Sequence, residues 1–149
     1  MSDVYSKKEF EIKLREMEYM YHLYHPFQQK MNSGNFTKKQ MQGWVANRFY
    51  YQCTIPTKDL AIMSNNPPIE HRRLWIQRVN THIKPNGALD AWIELGVAVG
   101  LSKEDLLSFK YVLPGVRFAI DAYLNYTKES TWEESVASSL SEMFALKLH

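Results

Sequence analysis

Three Ser/Thr-x-x-Glu/Gln boxes, Ser6-Lys-Lys-Glu9, Thr37-Lys-Lys-Gln40 and Thr131-Trp-Glu-Glu134, constrain this chain more than any other feature. In each, a hydroxyl stands where it accepts an orphan N–H of a helix start, and the third residue reaches back to the cap. A helix is expected after each box. Ser102-Lys-Glu-Asp105 is a weaker relative, and Pro26, Pro68 and Pro114 sit where a first-turn proline is tolerated. Alternating strand patterns are almost missing, so the chain reads as all-α, with helices expected near 7–22, 26–32, 38–65, 68–82, 88–99, 103–109, 114–128 and 132–148. Gly34, Gly87 and Gly100 punctuate the gaps, and Ile83-Lys-Pro-Asn-Gly-Ala88 reads as a short turn, not a domain linker.

A chain of 149 residues, 45% hydrophobic, suits one helical domain over 1–149 with a genuine core. Eighteen Lys and Arg against sixteen Asp and Glu leave only +2, spread through helix-like segments, so nucleic acid is a poor candidate partner. No apolar leader or long apolar run is visible, and the expectation is a soluble, cytoplasmic protein with no membrane partner. The one cysteine, Cys53, reads as a free thiol packed in a helix.

Within the third expected helix, Trp44, Arg48, Tyr51, Gln52 and Ile55 fall on one face. An arginine on an aromatic and aliphatic stripe must find an anion, and a ligand could supply it. Pro56 removes one backbone bond and is expected to bend the helix beside these residues, either shaping a cavity or wrapping the core.

Arg78 and His82 lie one turn apart on one face, where a neighbouring cation favours a neutral imidazole. The alternative is surface or capping chemistry at a helix C-terminus. Tyr21-His22, Tyr24 and His25-Pro26 gather hydrogen-bonding rings, either around a polar ligand or in an exposed turn. Glu142 and His149, seven apart in an expected helix, would face the same way. They could serve as two metal ligands, but no partner Glu-x-x-His motif accompanies them. Trp75, Trp92, Tyr123, Tyr126 and Trp132 read most simply as core aromatics with polar tips.

The segment Gln42–Pro56, with Gly-Trp-Val-Ala-Asn-Arg-Phe-Tyr-Tyr-Gln within it, closely resembles the pyrroloquinoline-quinone synthase family. Tyr21-His22 with His25-Pro26, Trp75-Ile-Gln-Arg78, Val112–Ala119 with Asp121-Ala-Tyr123, and Ser138-Ser-Leu140 with Glu142 and Phe144 resemble it in the same order. The resemblance implies a haem-oxygenase-like helical fold and a homodimer. It also implies a cofactorless oxidase: ring closure and eight-electron oxidation of a bicyclic polycarboxylate quinone precursor by molecular oxygen, releasing hydrogen peroxide. By position it implies a substrate pocket of Tyr21, His22, Arg48, Tyr51, Gln52, Arg78 and Tyr123. His82 would be base and proton shuttle, with Glu142 and His149 beside the reacting ring, and no metal.

The family continues through further helices where this sequence stops at His149, so the resemblance is to its N-terminal portion, and a truncated chain would be short of cover for its apolar faces. Tyr24 replaces a histidine common in the family, and the loop after His82 is shorter, with Ile83-Lys84 in place of Asp-Gly. Two other readings stand beside the enzyme: a non-catalytic remnant binding a quinone or a partner subunit, and a metal-dependent oxidase of the same superfamily using Glu142 and His149.

Overall fold

The computed structural model describes residues 4–145. Among them are eight α-helices: α1 (Lys7–Glu16), α2 (Pro26–Asn32), α3 (Lys38–Ser64), α4 (Ile69–Ile83), α5 (Ala88–Ala98), α6 (Lys103–Leu107), α7 (Pro114–Glu129) and α8 (Trp132–Ala137). Three 3-10 turns, Met17–Met20, His22–Tyr24 and Leu140–Met143, complete the list, and no strand occurs among the described residues. The all-α reading holds, and the chain forms two compact units, one of residues 4–35 with 139–145 and one of Phe36–Ser138.

All three capping boxes close reciprocally, at Ser6/Glu9, Thr37/Gln40 and Thr131/Glu134. In the first, the Ser6 hydroxyl, and then its backbone N–H, holds the Glu9 carboxyl below its ordinary range. Ser102 caps α6, and Pro26 and Pro114 open α2 and α7 as expected. Pro68 instead stands at the cap position, one residue outside α4, with extended backbone.

Two expected helices end early. The first, expected to Tyr21-His22, stops at Glu16, where the Met17 N–H reaches both Leu14 and Arg15 carbonyls and the spiral tightens into 3-10 turns. Tyr21 is extended, and so is His25, as a residue before proline must be. His25 Nδ1 accepts the Phe27 N–H at 3.2 Å, so this ring caps α2. The last expected helix, to 148, stops at Ala137, and Ser138 turns its hydroxyl back onto the Ser135 carbonyl at 2.6 Å. Such side-chain bonds compete with helical ones.

In the larger unit α3 is the central rod, packed by α4, α5, α7 and α8. It continues through Pro56, which is itself buried. The buried stripe runs Val45, Phe49, Gln52, Ile55, Pro56, Asp59 and Ile62, with Lys58 also inside, so the inner face mixes apolar and charged groups. Trp44 meets Trp92 of α5 at 5.6 Å between ring centroids, and Phe49 meets Phe109 at 6.0 Å.

The far end of α3 is held by one amide. Asn65 Nδ2 donates to the Thr127 carbonyl at 2.7 Å, the Ser130 carbonyl at 2.9 Å and Ser135 Oγ at 3.1 Å, joining α3 to the end of α7 and to α8. Ser135 and Thr127 are fully buried, so no water replaces the lost donor. The Thr127 carbonyl keeps the Ser135 hydroxyl as a donor, so Asn65→Ala is expected to destabilise the protein by about 1–3 kcal/mol, the cost of leaving the clasp short of its amide donor. Urea unfolding would check this; an unchanged midpoint would show the clasp to be dispensable.

Half-buried Cys53 lies on α3, and burial pushes its thiol up to about 11. The reactive thiolate is thus scarce at neutral pH. Ellman's reagent at pH 8 should label the native protein at least tenfold more slowly than the urea-unfolded chain, on the order expected from that thiolate fraction; equal rates would contradict the packing.

Candidate functional site

Six of the proposed pocket residues belong to the larger unit. Arg48, Tyr51 and Gln52 are on α3, Arg78 and His82 on α4, and Tyr123 on α7. Both α4 and α7 pack directly on α3. The four-residue connection between α3 and α4 makes them an antiparallel pair. The contact that fixes their register is Arg78 Nε on Asp59 Oδ2 at 2.7 Å. His82 follows Arg78 by one turn of α4.

Arg48 lies over the Tyr51 ring, its guanidinium carbon 4.7 Å from the centroid. Among the described residues it meets no carboxylate, and it is half-buried beside buried Gln52. The anion anticipated for this arginine is thus not supplied by the described part of the chain. A stacked guanidinium retains its in-plane N–H donors, so the arrangement can take a planar carboxylate edge-on.

Arg78 differs, because its Nε is engaged by Asp59, a carboxylate with no solvent exposure. Lys58 Nζ, equally buried, stands 3.7 Å from Asp59 Oδ1 and 5.6 Å from the centre of the Tyr123 ring. That separation is an ion pair without a hydrogen bond, and Asp59 Oδ1 has no hydrogen-bond partner. Removing one member of such a buried set costs about 3–5 kcal/mol, because the remaining charge is stranded. Neither Lys58 nor Asp59 was foreseen as a site residue. The available signal was the α3 stripe itself, which continues from Val45, Phe49 and Gln52 through Pro56 onto Asp59.

His82 Nδ1 lies 3.1 Å from the Arg78 carbonyl oxygen. A carbonyl only accepts, so this bond places the proton on Nδ1 and leaves the lone pair on Nε2. The Arg78–His82 spacing therefore acts through the backbone carbonyl, while the Arg78 side chain bonds Asp59.

Tyr50, unused in the sequence reading, donates to Asp121 Oδ1 at 2.5 Å and carries Arg117 over its ring at 4.7 Å. The bond to Asp121 raises the Tyr50 hydroxyl above its ordinary value and keeps it a donor. This pair ties α3 to α7 within reach of the segment carrying Tyr123.

Tyr21, His22 and Glu142 belong to the smaller unit. There Tyr21 packs on His22 at 4.6 Å and on Phe144 at 5.8 Å between centroids, joining the turns at 17–24 to the turn Leu140–Met143. His22 is exposed and Tyr21 half-buried. Glu142 sits in a 3-10 turn, and the alignment expected with His149 falls on residues outside those described. Among the described residues no three His, Cys, Asp or Glu side chains gather as a metal site. Nor is any described helix long and apolar enough to cross a membrane.

Comparison with known proteins gives this geometry a family. Residues 11–149 match the model of the TENA/THI-4/PQQC family. The chain is 51% identical over 152 residues to a pyrroloquinoline-quinone synthase of Klebsiella pneumoniae, covering 100% of this chain and 61% of that protein. It is 53% identical over 144 residues to the pyrroloquinoline-quinone synthase of Cronobacter sakazakii, covering 95% and 57%, and 50% identical over 149 residues to that of Acinetobacter baylyi, covering 98% and 58%. The chain thus spans about three-fifths of the length of the curated relatives it matches. With all but its first ten residues matched by the family model, the chain belongs to the TENA/THI-4/PQQC family.

Proposed function

We infer that this chain serves pyrroloquinoline quinone biosynthesis, binding the bicyclic polycarboxylate precursor for its final oxidation by molecular oxygen. The observation that carries the reading is Arg48, a half-buried guanidinium stacked on Tyr51 beside buried Gln52, with no carboxylate among the described residues. A polycarboxylate ligand supplies that missing anion. The names of the relatives, each a pyrroloquinoline-quinone synthase, supply the chemical class.

In this reading Arg48 and Arg78 receive substrate carboxylates, while Tyr51, Gln52 and Tyr123 orient the ring system; Tyr21 and His22 are assigned to the substrate by resemblance alone. His82 removes a proton through Nε2, the nitrogen left with a lone pair by the Arg78 carbonyl bond. Deprotonation makes the substrate electron-rich enough to pass electrons to dioxygen, with peroxide as product, and neither metal nor bound cofactor takes part. Glu142 and His149 are assigned to the reacting ring by resemblance alone. The setting is the cytoplasm.

A homodimer completes the reading. Ile69, Ile76 and Ile83 repeat every seven residues along α4 and are 65%, 49% and 58% exposed, and Ile76 and Ile83 border an open groove of about 320 Å³ with Val79. A stripe of that kind is suited to packing on a second copy. Sedimentation equilibrium should return a dimer for the chain and a monomer for Ile76→Glu; a monomeric parent protein would remove this part of the reading.

The central claim is tested by titrating pyrroloquinoline quinone and following its absorbance. Arg48→Ala is expected to weaken binding on the order of tenfold or more, the loss of a charge-assisted contact. Lys38→Ala, whose side chain packs against Gly100 at the end of α5, should leave it unchanged. Equal effects of the two substitutions would take Arg48 out of the pocket.

A further inference from the structure

The turn between α4 and α5, Lys84-Pro85-Asn86-Gly87, has no part in the chemistry above. Its closing bond runs from the Gly87 N–H to the Lys84 carbonyl at 2.9 Å. Asn86, in the third position after Pro85, takes the left-handed backbone, with φ of 57°, as turns of type II demand there. Its own N–H donates to Asp90 Oδ2 at 2.8 Å, which ties the turn to the start of α5. Gly87 is buried against the end of α4, where a Cβ would stand 2.6 Å from the Lys84 carbonyl oxygen and 2.9 Å from that of Thr81. Asn86 beside it is exposed.

Asn86 is also the one asparagine of the chain that precedes glycine. The nucleophile that attacks an asparagine side chain is the nitrogen of the next residue, and glycine offers it with no side chain in the way. Asn66 shares the left-handed backbone, with φ of 56°, but precedes Pro67, whose nitrogen has no hydrogen to lose.

We propose that Asn86 is a site of spontaneous covalent modification that unlatches α5 from the end of α4. The Gly87 nitrogen bonds to the side-chain carbonyl carbon of Asn86, the carbon–nitrogen bond of the side-chain amide breaks, and ammonia departs with the Gly87 proton. Water then opens the succinimide at either carbonyl, giving aspartate or isoaspartate, and no electron is transferred. While the turn is closed, Lys84 holds the nucleophile by its hydrogen, so reaction waits on local opening of this turn and not on global unfolding. Isoaspartate lengthens the main chain by one carbon and adds a carboxylate close to that of Asp90. The bonds to Lys84 and Asp90 then no longer close in their former geometry.

The test is incubation of the full chain at mildly alkaline pH, native and in guanidinium chloride, followed by peptide mapping and isoaspartyl methyl transfer. Asn86 is expected to convert before any other asparagine in both states, and on the order of tenfold more slowly in the native protein. Conversion first at another asparagine, equal rates in the two states, or a native Asn86 that stays intact while the unfolded chain converts overturns the proposal. Asn86→Gly keeps the turn, because glycine takes the same φ without strain, and should abolish the early isoaspartate signal; formation at the parent rate overturns the assignment. The converted protein separates from its parent by ion exchange. Its urea midpoint is expected to fall below that of Asn86→Asp, which adds the same charge without lengthening the main chain, and equal midpoints overturn the unlatching.

Discussion

A carboxylate with no solvent exposure in the middle of a long helix is the constraint on which the larger unit depends. Lys58 of the same helix comes no nearer to Asp59 than 3.7 Å, so the buried carboxylate finds its hydrogen bond in Arg78 Nε of α4 at 2.7 Å, and that contact favours one register of α4 along α3. A slip of one turn, about 5.4 Å, would leave Asp59 with Lys58 alone, an ion pair without a hydrogen bond, at a cost of several kcal/mol. An apolar stripe alone would not discriminate so sharply, since one aliphatic contact replaces another at little cost. Everything else on α4 inherits that register, including His82, whose ring is tied to the Arg78 carbonyl one turn on.

Polar bonds do the same work at the other contacts of α3. Asn47 donates to the Gly43 and Tyr111 carbonyls at 2.8 and 3.3 Å and accepts the Leu113 N–H at 2.9 Å, so it sets where α7 begins. Tyr50 holds Asp121 further along α7, and Asn65 holds its C-terminal end. Four contacts spread from Asn47 to Asn65 thus position α4 and α7 against the same rod, and with them the side chains assigned to the pocket.

Local features were legible in the sequence, and long-range ones were not. The boxes at Ser6, Thr37 and Thr131 and the openings at Pro26 and Pro114 depend on residues within one turn, and all five start helices as read. The ends at Glu16 and Ala137 were missed because continuation competed with 3-10 tightening and with the Ser138 hydroxyl, choices that composition leaves open. In the site, the Arg48–Tyr51 face was visible because three and four residues apart means one face. The Asp59–Arg78 pair spans nineteen residues and needs the helix hairpin to exist before the two can meet. His82 shows the limit of spacing in another way: the expected partner, Arg78, is indeed its neighbour, but through a backbone carbonyl and not through the guanidinium.

The two arginines assigned to one ligand are held by interactions of very different strength. Arg48 rests on an aromatic face, a contact of about 0.5–1 kcal/mol at a partly exposed site, so a ligand can draw its donors into a new geometry at little cost. Arg78 is bound by a short charge-assisted hydrogen bond to a buried carboxylate, and breaking it would leave that carboxylate with only the 3.7 Å ion pair to Lys58. Any anion that meets both must fit itself to Arg78 and let Arg48 follow. A rigid polycarboxylate has fixed distances between its charges and tolerates only one immovable partner before the second must adapt. Under the proposed reading, one fixed and one adjustable guanidinium on α3 and α4 would let a planar, multiply charged ring system settle on the first and draw in the second.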